Sequence, residues 1–119
     1  MPAHLCILES WFVSDRVEEH FLLFNAAVRN HDWTAFLATF APDAVMRFEG
    51  IPIGPYAGRD RIARAYADRP PSDTMTCRSA AQVGDHDTIR FTWDAGGCGT
   101  MELSWREGLI AALVVTFDP

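Results

Sequence analysis

Residues 87–117, DTIRFTWDAGGCGTMELSWREGLIAALVVTF, decide the fold. Ile89, Phe91 and Trp93 alternate with Arg90 and Thr92, and Met101, Leu103 and Trp105 alternate with Glu102 and Ser104. That period of two belongs to strands with one buried face. The turn signals Gly-Gly-Cys-Gly (96–99) and Glu-Gly (107–108) cut the stretch into approximate strands Asp87 to Ala95, Thr100 to Arg106 and Leu109 to Phe117. A further strand, Thr74 to Val83, precedes them across Gly84-Asp85-His86. Consecutive strands joined this tightly pair antiparallel.

The register at the glycine turn has two readings. A two-residue Gly96-Gly97 loop sets Phe91 opposite Glu102 and buries a carboxylate among aromatics, which costs free energy without a partner. A three-residue loop, Gly96 to Cys98, pairs Trp93 with Met101, Phe91 with Leu103 and Ile89 with Trp105, and leaves Arg90, Thr92, Glu102 and Ser104 on the other face. The second reading is preferred. A two-residue turn at Glu107-Gly108 then sets Trp105 opposite Ile110, Leu103 opposite Ala112 and Met101 opposite Val114. On the opposite face it leaves Ala111, Leu113, Val115 and Phe117 in an apolar row. With the helices committed to the first face, a second copy of the chain is the expected cover, giving a homodimer through Leu113, Val115 and Phe117.

Upstream the period changes to helical. Ser14 caps a helix with Val17, Phe21, Phe24 and Val28 on one stripe. Asp32 caps a second carrying Trp33, Phe36, Leu37 and Phe40, which Pro42 helps to end. Ala44 to Glu49 reads as a strand. A third helix follows Gly58, with Ile62 and Tyr66 four apart, and stops at Pro70-Pro71. Gly50 to Gly58 and Arg69 to Asp73 read as loops. Helices followed by an antiparallel sheet make an α+β domain, and 119 residues suffice for one domain, 1–119.

Sixteen acidic residues against ten basic ones, all arginine, give a net charge of -6 that disfavours nucleic acid and anionic membranes. The apolar residues reach 49%, yet no run approaches the ~18 residues of a membrane span. Cys6, Cys77 and Cys98 show neither disulfide pairing nor zinc spacing, so a reducing cytoplasm is expected. Gly54-Pro-Tyr-Ala-Gly58 lacks a dinucleotide fingerprint, and no metal ligand set or cofactor is indicated.

Three segments in order, FLLFNAAVRNHDWTAFLATFAPDAV (21–45), GPYAGRDRIARAYA (54–67) and WREGLI (105–110), resemble the nuclear transport factor 2-like superfamily in its SnoaL-like branch, the polyketide cyclase and ketosteroid isomerase relatives. The resemblance implies a cystatin-like cone: three N-terminal helices in the concave face of a curved, mostly antiparallel sheet, around an apolar cavity for a small molecule. Dimers through the outer sheet face are common in such proteins. The implied cavity is lined by Phe24, Met46, Phe48, Phe91, Trp93, Met101 and Trp105, with Tyr56 over its mouth. Ketosteroid isomerases carry a tyrosine, an aspartate base and a protonated carboxyl donor. Ungapped matching puts Phe24, Phe48 and Met101 there, which disfavours that mechanism.

Within this frame His20, one turn before Phe24, is the candidate general base, against the plainer reading of a helix-flank histidine. Tyr66 is the candidate oxyanion donor, against a plain core tyrosine. Cys77 reads as a small buried residue. The arginines and aspartates of 59–68 read as a solvated face. The implied function is binding of a polyketide-, terpenoid- or steroid-like compound, with cyclisation or isomerisation as the reaction class. The alternative is a non-catalytic ligand-binding or interaction module.

Overall fold

Ser14 starts the first helix: its extended backbone and its Oγ, which accepts from Val17 N at 3.4 Å, satisfy a donor that the helix leaves free. The computed structural model describes residues 13–118. Helix α1 runs Asp15–Asn30 and buries Val17, His20, Phe21, Phe24 and Ala27, the stripe expected of a 3.6-residue period. His31 closes it in a left-handed conformation, donating its N–H to Ala27 O. Helix α2, Thr34–Leu37, is one turn, with Asp32 Oδ1 accepting from Thr34 N at 3.0 Å. It ends earlier than its stripe suggests because Phe40 already belongs to strand β1, Phe40–Glu49. Pro42 sits where the pairing of β1 with its parallel neighbour is irregular, so its missing N–H interrupts no regular ladder.

The short strand β2, Tyr56–Ala57, was read from sequence as loop; it pairs with Val45 and Met46 of β1. Helix α3, Arg59–Asp68, buries Ile62 and Tyr66. Then come β3, Met75–Val83, β4, His86–Trp93, β5, Cys98–Arg106, and β6, Leu109–Phe117. The six strands form one curved, unclosed sheet in the order β2-β1-β6-β5-β4-β3, antiparallel except for β1 beside β6. Helix α1 packs against β3 and α3 against β1, which places the core between helices and sheet as the α+β cone requires.

Two registers differ from those expected. Between β4 and β5 the loop has five residues, Trp93 to Gly97, closed by Trp93 N donating to Gly97 O at 2.8 Å. Ile89 therefore faces Met101 rather than Trp105, a slip of four residues along β5. Gly99 explains it. It lies opposite Phe91, and a Cβ there would come within 3.0 Å of the Phe91 ring and 2.6 Å of Thr116 O, so only glycine fits this crossing. Because four is even, inward and outward faces are preserved. Trp105, however, is carried past the end of β4.

The second difference inverts a face. The Glu107-Gly108 turn forms as expected, both residues at positive φ, and Trp105 pairs with Ile110. Then a bulge takes up Ala111, so that Ser104 pairs with Ala112, Leu103 with Leu113 and Met101 with Val115. One extra residue turns Leu113, Val115 and Phe117 inward and half-buries Ala112 and Val114 on the other side. The expected outward direction of Leu113, Val115 and Phe117 is thereby corrected: these side chains are cavity wall. Beside Ala112 and Val114 the outer face carries polar groups. There His86 bridges Glu102 and Ser104 at 3.0 and 3.2 Å, and Arg90 pairs with Asp118 at 2.7 Å.

Candidate active site

A cavity of about 170 Å³ lies between the helices and the sheet. Strand alternation supplies one wall: Met46 and Phe48 from β1, Phe91 and Trp93 from β4, and Met101 from β5. The bulged β6 adds Leu113, Val115 and Phe117, with the Phe117 ring stacked on Phe48 at 6.1 Å. Phe24 and Phe36 close it from the helices, joined edge to face at 5.7 Å. The positions matching the steroid-isomerase catalytic groups, Phe24, Phe48 and Met101, all face the cavity, and none is protic.

Of the residues expected in the wall, Trp105 is elsewhere. Its Nε1 donates to Asp87 Oδ2 at 2.8 Å, and Arg16 Nε donates to the same oxygen at 2.8 Å. Arg16 also lies 5.3 Å from the Trp105 ring centroid and donates to Gly84 O. Asp87, 1% exposed, was not read as a site residue. The signal was present, since it continues the inward series Ile89, Phe91 and Trp93, but its place beside the Gly84-Asp85 turn suggested a strand end.

The polar groups of the cavity are few. His20 is 3% exposed and touches Phe36, ring to ring, at 5.2 Å. Neither of its nitrogens has a hydrogen-bond partner among the described residues. Burial lowers its pKa from the usual 6.5 to about 4, so the imidazole is neutral near pH 7, with one nitrogen free to accept. Tyr66 stacks on Trp33 at 4.5 Å, and its hydroxyl donates to Met46 Sδ at 3.5 Å, a weak acceptor. Burial raises its pKa, which keeps the phenol protonated. Both residues therefore line the cavity where the helix spacing put them.

The cavity is flanked on two sides. Ile53, Tyr56, Ala65 and Arg69 line both it and an outer recess of about 570 Å³, and so mark its mouth. Tyr56 sits at that mouth, edge to face with Phe48 at 6.5 Å. Gly54, at φ 74, lies so close under the Tyr56 ring that a side chain would crowd it. On the other side, His20 alone is shared with a second cleft of about 160 Å³, lined also by Arg16, Glu19 and Thr39. Cys77 lies off the cavity, its thiol donating to Ser79 O and its pKa pushed up to about 11 by burial, the state of an inert thiol. Met75, Ile53, Phe36 and the β6 residues are wall members that sequence reasoning missed, the last because the bulge was invisible.

A curved sheet closed by helices around such a cavity defines the nuclear transport factor 2-like class. The family pattern of the SnoaL-like domain matches residues 21–112, and the chain belongs to that family. Among solved structures it is similar to a proposed polyketide cyclase from Sinorhizobium meliloti, at 25% identity and TM-score 0.67 over 89% of this chain and 97% of that one. It also resembles TerC, co-crystallised with polyporic acid, at 20% identity and TM-score 0.70, covering 88% and 92%. A proposed ketosteroid isomerase from Kribbella flavida shares 17% identity at TM-score 0.66, covering 86% and 79%. No curated protein matches the sequence. Among the described residues no helix is long and apolar enough to cross a membrane.

Proposed function

We propose that this chain binds a small, ring-sized apolar molecule bearing one hydrogen-bond donor, which His20 accepts. The observation that carries this reading is a neutral, buried imidazole with neither nitrogen partnered among the described residues, in a mostly apolar wall. Leaving such a group unpaired costs about 1–3 kcal/mol, and a ligand hydroxyl recovers part of it. The volume of about 170 Å³ sets the size of the buried part. A protein cavity of about 150 Å³ takes benzene, so one ring fits and a four-ring steroid exceeds the space.

The test is calorimetric titration with phenol and with toluene, which share a shape and differ in the donor. Phenol is expected to bind about three- to tenfold more tightly, the worth of one net hydrogen bond. His20→Leu is expected to erase the difference. Equal binding of the two by the unmodified protein, or no binding of either, sinks the reading.

Catalysis is a second reading, favoured by the similarity to a proposed polyketide cyclase and by the pairing of a neutral base, His20, with a protonated donor, Tyr66. It would be proton transfer in cyclisation or isomerisation. A base of pKa about 4 is a weak one near pH 7, which puts binding first. Deuterium uptake by 2-cyclohexenone in D₂O, read by NMR, checks it. Acceleration by the protein that persists in both His20→Ala and Tyr66→Phe removes these residues from the chemistry.

A further inference from the structure

The recess outside the mouth is where the charge pattern of this chain reverses. Arg61, Arg64 and Arg69 line it, with Asp68 as its carboxylate, in a protein whose formal charge is -6. Six of the other seven arginines are engaged: Arg16 on Asp87, Arg47 on Glu49, Arg59 on Phe40 O, Arg78 on Thr92, Arg90 on Asp118 and Arg106 on Asp43. No hydrogen bond or ion pair holds the guanidinium of Arg61, Arg64 or Arg69 among the described residues, even though Asp60 and Asp68 stand on the same helix. Arg61 and Arg64 are three apart on α3 and so share a side of it, and Arg69 follows its end. Arg69 lines the recess and the cavity alike, and Ile53, Tyr56 and Ala65 form the collar between them.

We propose that this recess holds the carboxylate of an aryl carboxylic acid whose ring enters the cavity. The proposal rests on the ring-binding reading above and adds the substrate class. An arginine fork matches a carboxylate with two parallel N–H donors, which a compact ammonium does not. With His20 shared with the second cleft and Arg69 with the recess, the fitting molecule is a hydroxyaryl acid: hydroxyl toward His20, ring among the aromatics, carboxylate on a short spacer at Arg69. The local positive charge also draws an anion that the rest of the surface repels.

The experiment titrates the whole protein with three probes: 4-methylphenol, 4-hydroxyphenylacetate and 4-hydroxyphenylacetamide, the last a neutral copy of the acid. The acid is expected to bind about five- to tenfold more tightly than the amide at 20 mM salt, with the advantage shrinking at 0.5 M. Arg61→Gln with Arg64→Gln, both outside the cavity wall, is expected to shrink the advantage while leaving 4-methylphenol affinity unchanged, which also shows that the variant is folded, and adding Arg69→Gln is expected to remove the rest. Equal binding of acid and amide, or an advantage untouched by the triple variant, overturns the proposal and leaves the ring-binding reading standing. Failure of all three probes to bind overturns both.

Discussion

Arg16 and His20 stand one turn apart on α1 and line the same cleft, yet they are opposite solutions to the burial of a polar group. On the Arg16 side the buried carboxylate is held twice: Asp87 accepts from Arg16 and from Trp105 at 2.8 Å each. On the His20 side neither ring nitrogen has a hydrogen-bond partner among the described residues. A satisfied buried network fixes structure, whereas an unsatisfied group is a standing cost that stability does not explain. The contrast therefore separates a part of the molecule that holds the fold from the part proposed to serve a ligand.

The largest expected effect breaks the first half of the contrast. Arg16→Met keeps the aliphatic stem but leaves the Asp87 carboxylate buried with Trp105 as its remaining side-chain donor, and a loss of about 3 kcal/mol is expected in urea unfolding. A loss under 1 kcal/mol would place the Asp87 network outside the folding core.

Acid sharpens the second half. Unfolded His20 takes up a proton near pH 6.5, whereas in the native state it does so only near 4. Above pH 7.5 it is neutral in both states and contributes nothing. As pH falls from 6.5 the unfolded chain is favoured, by up to about 1.4 kcal/mol per unit, until the native pKa is reached. Unmodified protein is expected to lose about 2 kcal/mol between pH 7.5 and 5.0 that His20→Leu does not lose, since the other histidines are common to both. Parallel pH profiles would show that His20 is accessible to protons in the native state.

At pH 7.5 the same His20→Leu substitution is expected to stabilise by about 1 kcal/mol, because it removes an unpaired polar group, while its preference for phenol over toluene disappears. Destabilisation instead would mean that the imidazole is held by a partner in solution. The smallest effect is expected at Tyr66→Phe. The hydroxyl faces only a thioether, so stability should change by under about 1 kcal/mol, as thermal unfolding will read.

Periodicity made α1 and α3 legible, and with them the inward placement of His20 and Tyr66. Alternation did the same for Met46, Phe48, Phe91 and Met101. Even a four-residue error in the β4–β5 register left these residues on the correct face. What could not be read was the backbone between them. Trp105 was assigned to the cavity because loop length was judged from glycine spacing, while the deciding contact, Gly99 against the Phe91 ring, joins residues on different strands. The mouth arginines looked like any solvated helix face, because charge pattern alone does not reveal that a recess lies beside them.

The bulge at Ala111 carries a consequence for how this sequence tolerates insertion and deletion. Three cavity residues owe their inward direction to a single extra peptide unit ahead of them. Replacing Ala111 by another small residue preserves the count and so the container. Deleting it restores unbroken pairing and turns Leu113, Val115 and Phe117 out to solvent as a sticky stripe, with composition almost untouched. In this stretch, chain length is under tighter constraint than chemical identity.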